Sequence, residues 1–145
     1  MRTVSVVADV DLPPQPALRL WTDTSRWPTF VDGFSRVVQI DANWPEPGSK
    51  VVWESGAAGR GRVTERVIEL TDTTFETQVF EQQLSGRQML QFDVGEVVME
   101  LEYELQKGGP LRGLTDALFI RRALSDMLAR TLRRFSTEAA EEAAL

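Results

Sequence analysis

The chain contains no cysteine and no histidine. Without thiols there is no disulfide framework, no cysteine nucleophile and no thiolate metal site. Without imidazole there is no His-based triad, no zinc-finger spacing and no base whose ordinary pKa lies near neutrality. Any catalysis must therefore rest on carboxylates, the single tyrosine, hydroxyls, Lys, Arg or backbone amides. Positive charge is scarce as well, with 16 basic against 22 acidic residues and a net charge of −6. That balance argues against a chain-wide nucleic-acid surface, because phosphate binding needs concentrated positive charge. Long apolar runs are missing too, and nothing approaches the ~20 residues that cross a bilayer. Asp9 and Asp11 interrupt the N-terminal apolar segment too early for a signal-peptide core. The expectation is a cytoplasmic protein, with which the lack of cysteine agrees.

What is present suffices for one domain. A chain of 145 residues with 42% hydrophobic positions buries roughly 70% of the surface its unfolded form exposes, so no staple is required. Val4, Val6, Ala8 and Val10 alternate with Thr3, Ser5, Asp9 and Asp11, the period of a half-buried strand. Pro13 and Pro14 end it, and Pro16 suits the first turn of a helix whose apolar face is Ala17, Leu18 and Trp21. Ser25 to Phe30 reads as a second, irregular helical turn, since Pro28 restricts Trp27. Val-, Thr-, Phe- and Ile-rich segments follow near 34–41, 49–55, 61–70, 73–82, 84–94 and 96–106. Turn residues separate them at Asn43 to Gly48, Gly56 to Gly59, Thr71-Asp72, Ser85-Gly86 and Gly95-Glu96, which predicts an antiparallel meander. In the last strand Val97, Met99, Leu101, Tyr103 and Leu105 share one face, and Glu100, Glu102 and Glu104 share the other, wet one.

Gly108-Gly109-Pro110 breaks this pattern before a long helix expected from about Leu111 to Ala140. Ala117, Ile120, Leu124, Leu128, Thr131 and Phe135 form its buried stripe. Arg122, Asp126, Arg130, Arg134 and Glu138 run down the opposite side as solvated i, i+4 pairs worth a few tenths of a kcal/mol each. Asp116 near its start favours the helix dipole. A helix of ~30 residues is about 45 Å long, and its apolar stripe must be covered. The economical solution is an α+β fold in which a seven-stranded antiparallel sheet curves around the helix, leaving a lined space between them.

That order, with two short helices after the first strand, resembles the helix-grip fold of the START/Bet v 1-like superfamily. More narrowly it resembles the bacterial polyketide cyclase/dehydrase-type proteins, often called SRPBCC proteins. The resemblance is carried by Val4 to Val10 with the Pro13–Trp21 helix and by Asp23-Thr-Ser-Arg-Trp-Pro-Thr-Phe30. Gly48 to Trp53, Gly61 to Glu69, the Gly108-Gly109-Pro110 break and the Arg-rich closing helix complete it, over nearly the whole chain as a single domain, 1–145. It implies a cavity for a hydrophobic small molecule, but the superfamily includes lipid and hormone binders, aromatase/cyclases and co-chaperones, so fold does not choose among them.

Strand parity supplies candidate site residues. Val63 and Val67 flank Glu65, so an inward Glu65 is a desolvated carboxylate suited to general acid or base work; the alternative phase turns Ile68 inward and Glu65 into water. Gln88 shares parity with Leu84, Leu90 and Phe92 and can hydrogen-bond a ligand carbonyl if it does not meet water at an open end. Tyr103 can donate to an enolate or carbonyl oxygen, or serve as a core residue bonded to backbone. Trp53 and Trp27 can wall a flat ring system. Phe75, Met99, Leu101, Leu124 and Leu128 complete the expected pocket lining. Arg60 and Arg62 flank Gly61 at a strand start, where they either border the mouth and meet an acidic ligand or a carrier-protein phosphate, or stay in solvent.

Other features carry no site. Gly56-Ala-Ala-Gly59-Arg-Gly61 lacks the Lys-Ser/Thr of a phosphate loop and precedes no helix. The carboxylates have no metal-ligand spacing, and no cofactor is expected. Arg121, Arg122, Arg130, Arg133 and Arg134 are interleaved with Asp126 and Glu138 without aromatics, the pattern of a solvated face. Two functions therefore stand close together: a binder of a polyketide-, lipid- or aromatic-type molecule, and a cyclase, aromatase or dehydratase using Glu65 and Tyr103. A co-chaperone-like interaction module using the exposed sheet face is the third. An acyl carrier protein and a second copy of the chain are the conditional macromolecular partners, and Gly108, Gly109 and Gly113 are candidate hinges for gating by the long helix.

Overall fold

The computed structural model describes residues 1–56, 59–106 and 114–145, with side chains of the last stretch described from Leu118 onward. Strand β1 (Arg2–Asp9) leads into helix α1 (Pro14–Thr22), a single 3-10 turn (Thr24–Arg26) and the one-turn helix α2 (Trp27–Phe30). Strands β2 (Phe34–Ile40), β3 (Lys50–Ser55), β4 (Arg62–Leu70), β5 (Thr74–Phe80), β6 (Leu84–Asp93) and β7 (Glu96–Leu105) follow. The C-terminal helix α3 spans Leu114–Ala143. All seven strands form one antiparallel sheet in the order β1-β7-β6-β5-β4-β3-β2, so the chain meanders from β2 to β7 and the N-terminal strand closes the far side. This is the helix-grip fold.

The alternation in β1 and β7 pairs as the sequence implies. Val4 faces Leu101 and Val6 faces Met99, with Val4, Met99 and Leu101 all buried. Register shifts in β2 (between Phe34 and Arg36, and between Val37 and Gln39) and in β4 (between Val67 and Glu69) mark bulges. Bulges bend a strand and increase its twist, which lets the sheet curve. The expected tight turn at Ser85-Gly86 is displaced to Glu81–Gln83, where Glu81 N–H donates to the Leu84 carbonyl at 3.0 Å. Gly86 instead lies inside β6 opposite Tyr103. A Cβ there would fall 1.9 Å from the Glu102 carbonyl oxygen, so close backbone approach explains the glycine.

Pro14 occupies the first turn of α1, where its missing N–H costs nothing. Trp21, Phe30 and Phe135 then pack with ring centroids 5.1–5.3 Å apart and fasten both short helices to α3. Ile120, Leu124, Leu128, Thr131 and Phe135 are buried, as the stripe implies. The charged face behaves differently from the expected i, i+4 ladder. Asp32 accepts from Arg130 (3.0 Å) and Arg134 (3.1 Å), while Arg26 reaches Glu138 (3.0 Å) and Glu142 (3.1 Å). Partners brought by the α1–α2 corner displace helical neighbours because the corner packs directly on this face. The expected Leu111 start, the Gly108-Gly109-Pro110 break and the Gly113 hinge lie outside the described residues, as do the side chains of Asp116 and Ala117.

Candidate functional site

Glu65 is the centre of the polar interior. Val63, Glu65 and Val67 all face the core, and the bulge after Val67 turns Ile68 outward to 39% exposure. Glu65 itself is 5% exposed. Its Oε2 accepts from Trp53 Nε1 on β3 at 2.8 Å. Its Oε1 accepts from Thr77 Oγ1 on β5 at 3.1 Å and from Gln88 Nε2 on β6 at 3.4 Å. Burial pushes the Glu65 carboxyl above its ordinary pKa; the Trp53 and Thr77 hydrogen bonds and the Arg60 charge pull the other way without cancelling the rise. The result is a carboxyl group prepared to hold or release a proton in a dry environment.

The space beside Glu65 is small. Trp27, Trp53, Gln88, Met99 and Leu128 line an inner cavity of about 20 Å3 for the centre of a water-sized group. That admits about one water or one carbonyl oxygen, not a ring system. Adjoining it, Leu84, Ile120, Ala123 and Leu124 line an open groove of about 230 Å3 between α3 and the hairpin loops. Asp32, Arg60 and Met127 belong to both linings and stand between the two spaces.

Arg60 is fixed from two sides. Its Nε donates to Glu81 Oε2 at 2.5 Å, and its guanidinium carbon lies 5.5 Å from the Trp53 ring centroid, a cation–π contact. The Arg60 and Glu81 side chains are 12% and 4% exposed. Glu81 is absent from the sequence candidates, yet it continues the inward parity of Phe75, Thr77 and Val79. Thr77 carries the same signal, and Met127 carries the stripe spacing of Leu124 and Thr131. Asp32 has no local signal, because its partners lie about a hundred residues away.

The structure brings together Trp27, Trp53, Glu65, Gln88, Met99 and Leu128 around the cavity, with Leu124 and Arg60 at the groove. Val63, Val67, Phe75, Leu90, Phe92 and Leu101 are buried in the core outside both linings. Tyr103 is fully buried and also lines neither space; its hydroxyl has no hydrogen-bond partner among the described residues. Arg62 faces away from the mouth. Its parity is opposite to that of Val63, its side chain is 62% exposed, and it donates to Glu54 at 2.8 Å on the outer sheet surface. Among the described residues no group of three or more acidic side chains is placed to hold a metal ion, and no helix is long and apolar enough to cross a membrane.

Solved structures share this architecture. The di-domain ARO/CYC StfQ from the steffimycin biosynthetic pathway matches with a TM-score of 0.72 at 14% identity, over 99% of this chain and 52% of that one. The chain thus spans about half of that protein. A norcoclaurine synthase point mutant from Thalictrum, solved with a transition-state analogue, matches with a TM-score of 0.70 at 11% identity, covering 97% and 95%. The protein TTHA0849 from Thermus thermophilus gives 0.71 at 17%, covering 97% and 99%. These likenesses show the fold. No protein of curated function matches the chain. A family model described as polyketide cyclase/dehydrase and lipid transport matches residues 1–140, and the chain belongs to that family.

Proposed function

We propose that the protein binds a hydrophobic molecule of polyketide, lipid or aromatic type in the groove between the sheet and α3, and that Glu65 moves a proton on its reactive end. The observation that carries this reading is Glu65 itself: a buried carboxylate, held by side chains from three strands, in the lining of a cavity that adjoins an open groove with Leu84, Ile120 and Leu124 on its walls. The groove takes the apolar body, and the water-sized space beside Glu65 takes one carbonyl or the methylene next to it. The ligand passes between Arg60 and Met127 to reach it.

The chemistry supported is that of a cyclase, aromatase or dehydratase. Glu65 as carboxylate removes a proton from a methylene between two ketones, and Gln88 and Arg60 offer N–H groups to the enolate oxygen that forms. The enolate carbon attacks a second carbonyl of the same chain, closing a carbon–carbon bond. Protonated Glu65 returns the proton to the new alkoxide, and loss of water follows. Holding both ends of one chain in this geometry contributes several kcal/mol by proximity alone. Solved proteins that share this fold include an ARO/CYC from a biosynthetic pathway and a norcoclaurine synthase.

The test is native mass spectrometry of the protein as expressed, followed by extraction and identification of bound small molecules. A co-purifying hydrophobic metabolite supports the reading. An empty protein whose melting temperature is also unmoved by a panel of flat hydrophobic ketones contradicts it. The tight inner cavity favours one second reading, an interaction module that uses the outer sheet face, where Glu100, Glu102 and Glu104 lie on one strand. That module would bind none of the panel.

A further inference from the structure

The passage into the site carries four charged side chains in two closed pairs. Arg60 is held by Glu81 at 2.5 Å and Arg130 by Asp32 at 3.0 Å, and all four line the outer groove. The inner cavity repeats Arg60 and Asp32 and adds Glu65. Among the described lining residues, every cation is thus already matched by a carboxylate. The Arg60–Glu81 pair is also the buried one. A ligand carboxylate approaching Arg60 would have to part it from Glu81, leaving Glu81 as an uncompensated charge in a desolvated place. A neutral carbonyl oxygen makes no such demand and needs only a donor. Arg60 lines both spaces, with its guanidinium held to Glu81 through Nε and Nη2. Trp53 beneath the guanidinium keeps the fork in place.

We propose that Glu81 sets the charge selectivity of the site: by neutralising Arg60 it makes the passage a receptor for neutral carbonyl compounds and turns away free carboxylates. This rests on the ligand-binding reading above and narrows its substrate class to ketones, esters and thioesters rather than free acids. Under this proposal Arg60 takes neither of its two alternatives, an acidic ligand at the mouth or solvent, since its charge is matched by Glu81.

The experiment compares two probes with the same ring system, 2-acetonaphthone and 2-naphthoate, at neutral pH. Binding is read by tryptophan fluorescence and by the shift in melting temperature. The wild-type protein is expected to bind the ketone at least about tenfold more tightly than the carboxylate. Glu81→Gln keeps the shape and an acceptor for Arg60 but removes the negative charge. It is expected to tighten 2-naphthoate by about tenfold and change 2-acetonaphthone by no more than about twofold. Arg60→Gln leaves Glu81 uncompensated and is expected to widen the discrimination against 2-naphthoate. If Glu81→Gln does not fold, the wild-type ratio and Arg60→Gln still decide the matter. A wild-type preference for 2-naphthoate, or a ratio unchanged in the variants, overturns the proposal while leaving ligand binding intact. If wild-type protein binds neither probe, this inference falls, and the binding reading falls with it only when the protein is also empty as expressed and unmoved by the wider ketone panel.

Discussion

Trp53 Nε1 donates to Glu65 Oε2 across 2.8 Å between adjacent strands, and both side chains are sealed from solvent. This contact joins the aromatic wall of the site to its buried carboxylate. It also makes Glu65 dependent on donors from its neighbours, since Thr77 and Gln88 complete the set.

Replacing Glu65 separates charge from shape. Glu65→Gln can keep an acceptor towards Trp53 while Thr77 and Gln88 reorient to accept, so the fold is retained. Glu65→Leu strands all three donors in the core, and leaving buried polar groups unpaired costs about 3 kcal/mol. Urea denaturation of the two variants checks the order, with Gln the milder change. In a turnover assay on a poly-ketone, both variants lose the proton-transfer step.

The pH dependence of stability has a defined sign. Burial raises the Glu65 pKa in the folded protein above its unfolded value, so the folded state holds the proton more tightly. The Glu65 contribution is fully present below the unfolded pKa and is lost as pH rises through the folded one. Wild-type minus Glu65→Gln stability should therefore fall as pH rises above the ordinary carboxylate range. Melting temperatures of both proteins across that range measure the difference.

Met127 stands between groove and inner cavity and is half-buried. Met127→Trp fills the passage and is expected to reduce ligand affinity by about tenfold or more. Its position at the edge of an open groove limits the effect on folding to about 1 kcal/mol. Calorimetric titration alongside a melting curve separates the two effects.

Gly86 is a structural glycine for a steric reason. Gly86→Ala places a methyl group against the Glu102 carbonyl and Tyr103 Cα, forcing β6 from β7 at a cost of about 3 kcal/mol. Gly95 provides the contrast: it has φ +82° but open space around it. Gly95→Ala should cost only about 1 kcal/mol. Equal losses in chemical denaturation would contradict this account.

The sheet and long helix were legible because each element repeats its signal. Val97 to Leu105 alternates over a whole strand, and Ile120 to Phe135 keeps helical spacing over four turns. Glu65 was legible from its valine neighbours, although parity alone left its phase open until the bulge after Val67 settled Ile68 outward. Arg60 and Arg62 looked equivalent beside Gly61, but one pairs with buried Glu81 and the other with exposed-side Glu54. That distinction depends on which strand lies across from each. The Asp32 clasp on Arg130 and Arg134 and the narrowness of the inner cavity are tertiary facts with no local periodicity to report them.

The central claim is that Glu65 is a ligand-facing carboxyl group with a raised pKa. Carboxyl 13C NMR, with the Glu65 resonance assigned by its loss in Glu65→Gln, follows its titration with and without 2-acetonaphthone. The account predicts a midpoint above the ordinary glutamate range and a resonance that moves when the ketone binds. An ordinary midpoint, with a resonance indifferent to ligand, would contradict it.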